Sequence, residues 1–297
     1  MISLQAEQKS KVKEVTELTL FLLLAMGFSF VFAFVFGNIG FIVNSPLLAD
    51  VFARIGQLLG LLGFMIIWYR NINCFPNFGL KIKENNIFSL LLLGLLLGMV
   101  IQLILFILFT NLGQKIYLPP LSVMSWVLKG LIPAIIIHTC VSVSEELLFR
   151  GYLLSKLQNV MATPIAVLIQ GALFSLTHYF NTGFSILAFT GLLLFGVLMA
   201  LLKYKSGSLT LPIAFHFMWN VGEGTIFGFP VSGEKPSSLI EVKTGDSTSL
   251  MFGGTFGPEE SLLSIILLSV MTIIMIIITH SKRKKVSSQP SFSVSQS

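Results

Sequence analysis

Charge is what this sequence has least of. Only 11% of its 297 residues are Asp, Glu, Lys or Arg, against about 25% in an ordinary soluble domain. With 54% hydrophobic residues, such a chain cannot cover its own surface with solvated groups. A water-soluble globule is excluded, and the bilayer is the natural solvent. Cysteine is almost absent: Cys74 and Cys140 are too few for a disulfide framework and read as free thiols without a special role. A removable signal peptide is not expected either. The charged N-terminus runs to Glu17, the apolar run Leu18–Phe36 is too long for a signal core, and no small-residue cleavage site follows, so it reads as a retained helix. There is no internal repeat and no His-Glu-x-x-His metalloprotease motif.

Apolar length is what the chain has in abundance. A spanning helix needs about 20 mainly apolar residues. Eight stretches qualify, at roughly 18–37, 51–69, 87–110, 131–157, 161–180, 184–202, 207–228 and 261–279. They predict an all-α, polytopic membrane helical bundle. The second is interrupted at its start by Asp50 and Arg54, and Met124–Lys129 reads as an interfacial segment ahead of the fourth. The organisation follows: three N-terminal spans in 1–120, a helical bundle in 121–285 that carries the chemistry, and a Ser/Gln-rich tail, 286–297, expected to be disordered. Gly56–Gly60 and Gly94–Gly98 are small-xxx-small pairs, expected at helix–helix contacts.

The net charge of +6 raises the question of nucleic acid, and its placement answers it. With both termini cytoplasmic, Lys9, Lys11, Lys13, Arg70, Lys81, Lys83, Arg150, Lys156, Lys203, Lys205, Lys282, Arg283, Lys284 and Lys285 lie inside, 14 of the 19 Lys and Arg. This is the positive-inside pattern. The acidic loop from Glu223 to Glu260 then lies outside. The basic excess sets topology and meets anionic headgroups; no nucleic acid partner is expected.

Ionisable groups inside such helices are costly and point to function. The fourth span carries Glu145 and Glu146. Glu146 and Arg150 are four apart, in the favourable order for an ion pair on one face, although Arg150 could instead snorkel to the interface. Glu145 is turned about 100° away and lacks that partner. The fifth span places Phe174 and His178 on one face, and the seventh places His216 and Asn220 on one face. His138 lies two turns before Glu145, on a similar face. His280 beside the last basic cluster reads as interfacial. A carboxylate held away from bulk water binds protons more readily, which suits a general base near neutrality. Peptide hydrolysis needs such a base and donors for the developing oxyanion. Glu145 could activate water with His178 orienting it, while His216 and Asn220 donate. Alternatively Glu145, His178 and His216 could hold a metal. A proton-coupled transporter would also use buried Glu and His, and a non-catalytic scaffold regulating an envelope enzyme would tolerate loss of Glu145.

Taken together, Glu-Glu-x-x-x-Arg (Glu145, Glu146, Arg150), Phe-x-x-x-His (Phe174, His178) and His-x-x-x-Asn (His216, Asn220), in that order on successive segments, resemble the CPBP family. This group comprises the type II CAAX proteases and bacteriocin-processing enzymes, also called Abi. Gly207–Ile213 resembles it too, as does Gly253–Glu259 more weakly. The likeness covers roughly residues 125–260, and the first three helices carry no signature. The resemblance implies an eight-helix intramembrane protease acting on a membrane-embedded or lipid-anchored protein or peptide, with bacteriocin immunity among the roles of bacterial members. It implies a multi-pass location, in the plasma membrane for a bacterial member. By the same resemblance Glu145 is the base, His178 its partner, and His216 with Asn220 the oxyanion site, supported by Glu146, Arg150 and Phe174. Members are often labelled metalloproteases, and a metal-free glutamate mechanism is also argued. No cofactor is assigned; zinc is the alternative, held by Glu145, His178 and His216. Asn220, a poor zinc ligand and a good amide donor, favours the metal-free form.

Overall fold

The computed structural model describes residues 2–71, 74–80, 86–118, 122–243 and 250–287. Eight helical segments build an all-α bundle among them. α1 (Ile2–Ile42) and α2 (Pro46–Tyr69) are joined by a three-residue turn. Ser45 caps α2 by accepting from the Leu48 amide, with Pro46 at its first position, where the missing N–H costs nothing. α3 (Ile87–Asn111) follows. Next comes one continuous helix from Val123 to Val160, made of α4 (Val123–Trp126), α5 (Ile132–Glu145) and α6 (Leu154–Val160). Its two joints, Val127–Leu131 and Glu146–Leu153, are π-helical. The segment Met124–Lys129, expected to lie apart in the interface, is thus the first turns of the fourth helix itself. α7 (Thr163–Leu176), α8 (Ile186–Ser206), α9 (Thr210–Asn220) and α10 (Leu262–Ser287) complete the bundle.

Six of these segments are long and apolar enough to cross a membrane: Ser10–Ile42, Pro46–Tyr69, Ile87–Asn111, Val123–Val160, Ile186–Ser206 and Leu262–Thr279. Large side chains such as Phe30, Phe34 and Ile277 face outward, as lipid but not water permits. The chain is an integral, multi-pass membrane protein. The fifth and seventh expected spans are shorter than drawn. α7 has 14 residues, about 21 Å at 1.5 Å per residue, against a hydrocarbon core of about 30 Å. α9 has 11 residues and continues only through the π-helical turn Val221–Ile226.

Both glycine pairs are helix crossings. A Cβ at Gly56 would collide with the Phe32 carbonyl, and one at Gly60 would come within 2.8 Å of the Phe28 carbonyl, both on α1. A Cβ at Gly94 would lie 2.6 Å from the Leu211 carbonyl, and at Gly98 2.7 Å from that of Phe215, both on α9. α3 therefore presses directly on the helix that carries His216. At one end of the bundle, Phe21 of α1 stacks on Tyr152 at 3.6 Å between centroids, and Phe64 and Trp68 of α2 pack on Phe21. This aromatic cluster ties the N-terminal hairpin to the turn after Glu146.

The segments expected on one side of the membrane meet one another. β1 (Lys115–Tyr117) pairs antiparallel with β2 (Glu241–Lys243), Ile116 opposite Val242. Asn181 donates to the Ser232 carbonyl, and Arg54 pairs with Glu234. At the other end Lys203 reaches the Arg150 carbonyl and Ser155, and the Leu209 amide bonds the Gly79 carbonyl. The expected tail continues α10 as far as Ser287, and 288–297 lie outside the described residues, as do Lys81 and Lys83. The side chains of Lys9, His280 and Lys282–Lys285 are likewise not described.

Candidate active site

The site begins where two helices change register. α5 gives way to a π-helical turn directly after Glu145, and α9 does so directly after Asn220. Such insertions widen a helix locally and cluster at functional positions. Glu146 and Arg150 form the expected ion pair, 2.9 Å apart with both side chains fully enclosed. Snorkelling of Arg150 is thereby ruled out in this structure. The guanidinium carbon also lies 4.2 Å over the ring of Phe174, so one cation is held by a carboxylate and an aromatic face.

Sequence spacing pairs Glu146 with Arg150 alone; the structure adds His216. Its Nδ1 lies 2.9 Å from the Oε1 of Glu146, the oxygen that also accepts from Arg150. A carboxylate accepts, so Nδ1 carries the proton in this contact. The opposite nitrogen, Nε2, faces the Oε2 of Glu145 at 3.8 Å. That separation is too long for a hydrogen bond and admits a bridging water. The two glutamates thus have distinct surroundings: Glu146 is sealed in, whereas the Glu145 side chain keeps 20% of its exposure.

That exposure opens into a cavity of about 80 Å³ lined by Glu145, His178, His216 and Asn220. The fifth span, drawn to 180, ends early. α7 stops at Leu176, and His178 lies in the tight turns that follow, its amide bonding the Ser175 carbonyl. Irregular backbone here lines a cavity, where it is tolerated. The Nδ1 of His178 is 3.1 Å from the Phe174 carbonyl. A carbonyl only accepts, so Nδ1 donates and Nε2 is left as an acceptor. Phe174 meets both histidine rings edge-on, at 5.2 and 6.3 Å between centroids, and fixes their planes. Asn220 is buried, lines the cavity, and makes no hydrogen bond of good geometry through its amide to another described residue. His138 lines the same wall.

Several lining residues were not foreseen. Glu259, Ser232, Glu234 and Arg54 all border the cavity. Glu259 accepts from both the amide and the hydroxyl of Ser232, at 2.9 and 2.6 Å, so the segment before α10 folds back over the site. Its signal was the Gly253–Glu259 run, noted only as a weak likeness. Glu223, which heads the acidic loop expected outside, is fully buried in the π-helical turn after α9. It stands seven residues after His216, and extending that face by one turn would have found it. Arg54 had been read as a boundary charge of the second span, and nothing in the spacing marks it further.

Residues 127–222 match the family of type II CAAX prenyl endopeptidases, Rce1-like. The matched stretch is about a third of the chain and contains all of Glu145, Glu146, Arg150, Phe174, His178, His216 and Asn220. The likeness to CAAX proteases read from the motifs therefore holds. No curated protein and no solved structure matches the chain. The Rce1-like match begins inside the π-helical joint ahead of α5 and ends two residues beyond Asn220. It leaves α1–α3 and the segment carrying Glu259 outside it.

Among the described residues, no group of three or more His, Cys, Asp or Glu side chains is placed to hold an ion. The Nδ1 of each site histidine is held, in His178 by a carbonyl and in His216 by Glu146, which orients both rings with Nε2 left over and would serve a water-activating site or a metal ligand alike.

Proposed function

We propose that this protein is an intramembrane endopeptidase that hydrolyses a peptide bond in a membrane-associated protein or peptide through water activated at Glu145. The single observation that carries the reading is His216 standing between two glutamates of different character. Because Nδ1 donates to the sealed Glu146, a second proton on Nε2 makes His216 an imidazolium held between two carboxylates. In that state Glu145 is the base and Nε2–H is a donor. The water sits by Glu145, with the free Nε2 lone pair of His178 as its second anchor. Attack on the scissile carbonyl passes the water proton to Glu145. The oxyanion that forms is met by Nε2–H of His216 and the amide of Asn220, in a site where bulk water does not screen them. Glu145 then returns its proton to the leaving amine. Glu146, itself held by Arg150, fixes the orientation of the His216 ring.

The family name points to a prenylated substrate, and a second feature supports one. A groove of about 490 Å³ runs from Glu145 and His178 to α1 and α2, past Met26, Phe30 and Leu61. An isoprenoid chain lying among those side chains would bring an adjacent peptide to Glu145. The test compares the membrane proteome, and a farnesylated peptide, exposed to wild type and Glu145→Gln. Cleavage by wild type alone is expected. Equal cleavage by both proteins would remove Glu145 as the base, and solute accumulation in vesicles without any cleavage would favour a transporter.

A further inference from the structure

Arg54 lies outside the Rce1-like match, on a helix that carries no family motif. Its guanidinium nevertheless borders both the small cavity of Glu145, His216 and Asn220 and the longer groove towards α1. Its side chain keeps 28% of its exposure. Three groups surround it. Asp50, one turn earlier, lies 3.4 Å from Nε; Gln57 Oε1 is 3.5 Å from NH1; Glu234 Oε1 is 3.1 Å from NH2. The first two are on α2 itself and hold the guanidinium in place. The third is 180 positions away, on the segment that folds back over the site, and its own side chain is 67% exposed. An ion pair that exposed is weak and exchangeable. The groove thus contains a positioned cation, beside the catalytic carboxylate, whose closest partner is an exposed carboxylate side chain.

We propose that Arg54 is a specificity-determining residue that binds a carboxylate of the substrate peptide, and that Glu234 occupies its place when substrate is absent. Arginine is suited to this, since its planar fork meets a carboxylate through two parallel hydrogen bonds. The position is also apt: a peptide whose apolar anchor lies along α1 and whose scissile bond is at Glu145 would run on towards Arg54 and the loop. Exchange of one carboxylate for another leaves no buried charge unpaired, whereas an uncharged group would leave Arg54 with Glu234 and gain nothing. Two substrate carboxylates share this chemistry, the chain terminus and an acidic side chain. This inference rests on the protease reading for the identity of the ligand.

The test reads binding as well as cleavage. Fluorescent farnesylated peptides, one ending in a free acid and one in the amide, and each with or without one Asp, are titrated onto Glu145→Gln protein in nanodiscs. The same peptides are offered to the active protein for cleavage. A charge-assisted pair of this kind predicts on the order of tenfold tighter binding of a carboxylate-bearing peptide than of its neutral counterpart. Whether the free acid or the Asp gives that gain identifies the source. Arg54→Gln should erase the gain, Arg54→Lys should keep part of it, and Glu234→Gln should increase it without helping the neutral peptide. Equal binding of acidic and neutral peptides, or a gain that survives in Arg54→Gln, overturns the proposal. If the gain is present but active protein cleaves nothing, the subsite stands and the protease reading fails. Binding of none of the peptides overturns both. Glu234→Gln keeps the test decisive should the Arg54 variants not fold.

Discussion

The Nε2 of His216 faces the Oε2 of Glu145 across 3.8 Å, while the other face of the same ring is fixed to Glu146 at 2.9 Å. One imidazole therefore couples a carboxylate that meets the cavity to one that never does. Adjacent residues with the same side chain are put in different surroundings by a rotation of about 100° and a change of helical register between them.

That division predicts unequal consequences for the two glutamates. Glu146→Gln keeps an acceptor for His216 but leaves Arg150 enclosed with no counter-charge other than Glu145. Breaking a buried pair from one side costs on the order of 3–5 kcal/mol. The variant should unfold at markedly lower temperature in detergent, with activity reduced in the folded fraction. Glu145→Gln should unfold like wild type and cleave nothing. Normal stability with no activity for Glu146→Gln, together with an active Glu145→Gln, would reverse the assignment.

The bundle, the eight helical segments and the residues that meet at the cavity were legible because each rests on a local rule. Apolar length marks spans, and four-residue spacing puts Glu146 with Arg150 and His216 with Asn220. What was hidden depends on long-range contacts. The bond between His216 and Glu146 joins residues 70 apart, and no periodicity encodes it. The π-helical turns after Glu145 and Asn220 have no composition that separates them from α-helix. Glu223 counts with the acidic outside loop although the span 207–228 already covers it; there the helix continues as a π-helical turn and buries the carboxyl. Arg54 was discounted because a charge near the start of a span is ordinarily an interfacial one.

The first three helices carry no family motif, yet α3 is expected to matter for activity through packing alone. At Gly98 an added Cβ would stand 2.7 Å from the Phe215 carbonyl and 3.0 Å from the Met218 Cβ. Those atoms flank His216. Gly98→Ala must push α3 and α9 apart, an overpacking cost of about 1–3 kcal/mol. The expected outcome is lower thermal stability together with slower turnover, measured as kcat on a cleaved peptide. Gly63→Ala, where nothing lies within 4 Å of an added Cβ, is the control and should leave both unchanged. Equal behaviour of the two variants would mean that α3 does not brace the site.

The last prediction concerns metal. Zinc at a catalytic site takes three protein ligands and keeps one position open, and here those would be Glu145, His178 and His216. The arrangement runs against this at two points. Among the described residues no such trio is placed to hold an ion, and with Nδ1 of His216 on Glu146 the proposed mechanism uses its Nε2 to meet the oxyanion. A metal on Nε2 would take that donor away and leave Asn220 alone. Purified protein is therefore expected to keep its cleavage activity through prolonged dialysis against a strong chelator, with sub-stoichiometric zinc by elemental analysis. The same preparation should not gain activity when zinc is restored. Zinc at one per chain, lost with activity on chelation and recovered with it on readdition, would assign Nε2 of His216 to the ion and would replace the glutamate mechanism with a metal-bound water.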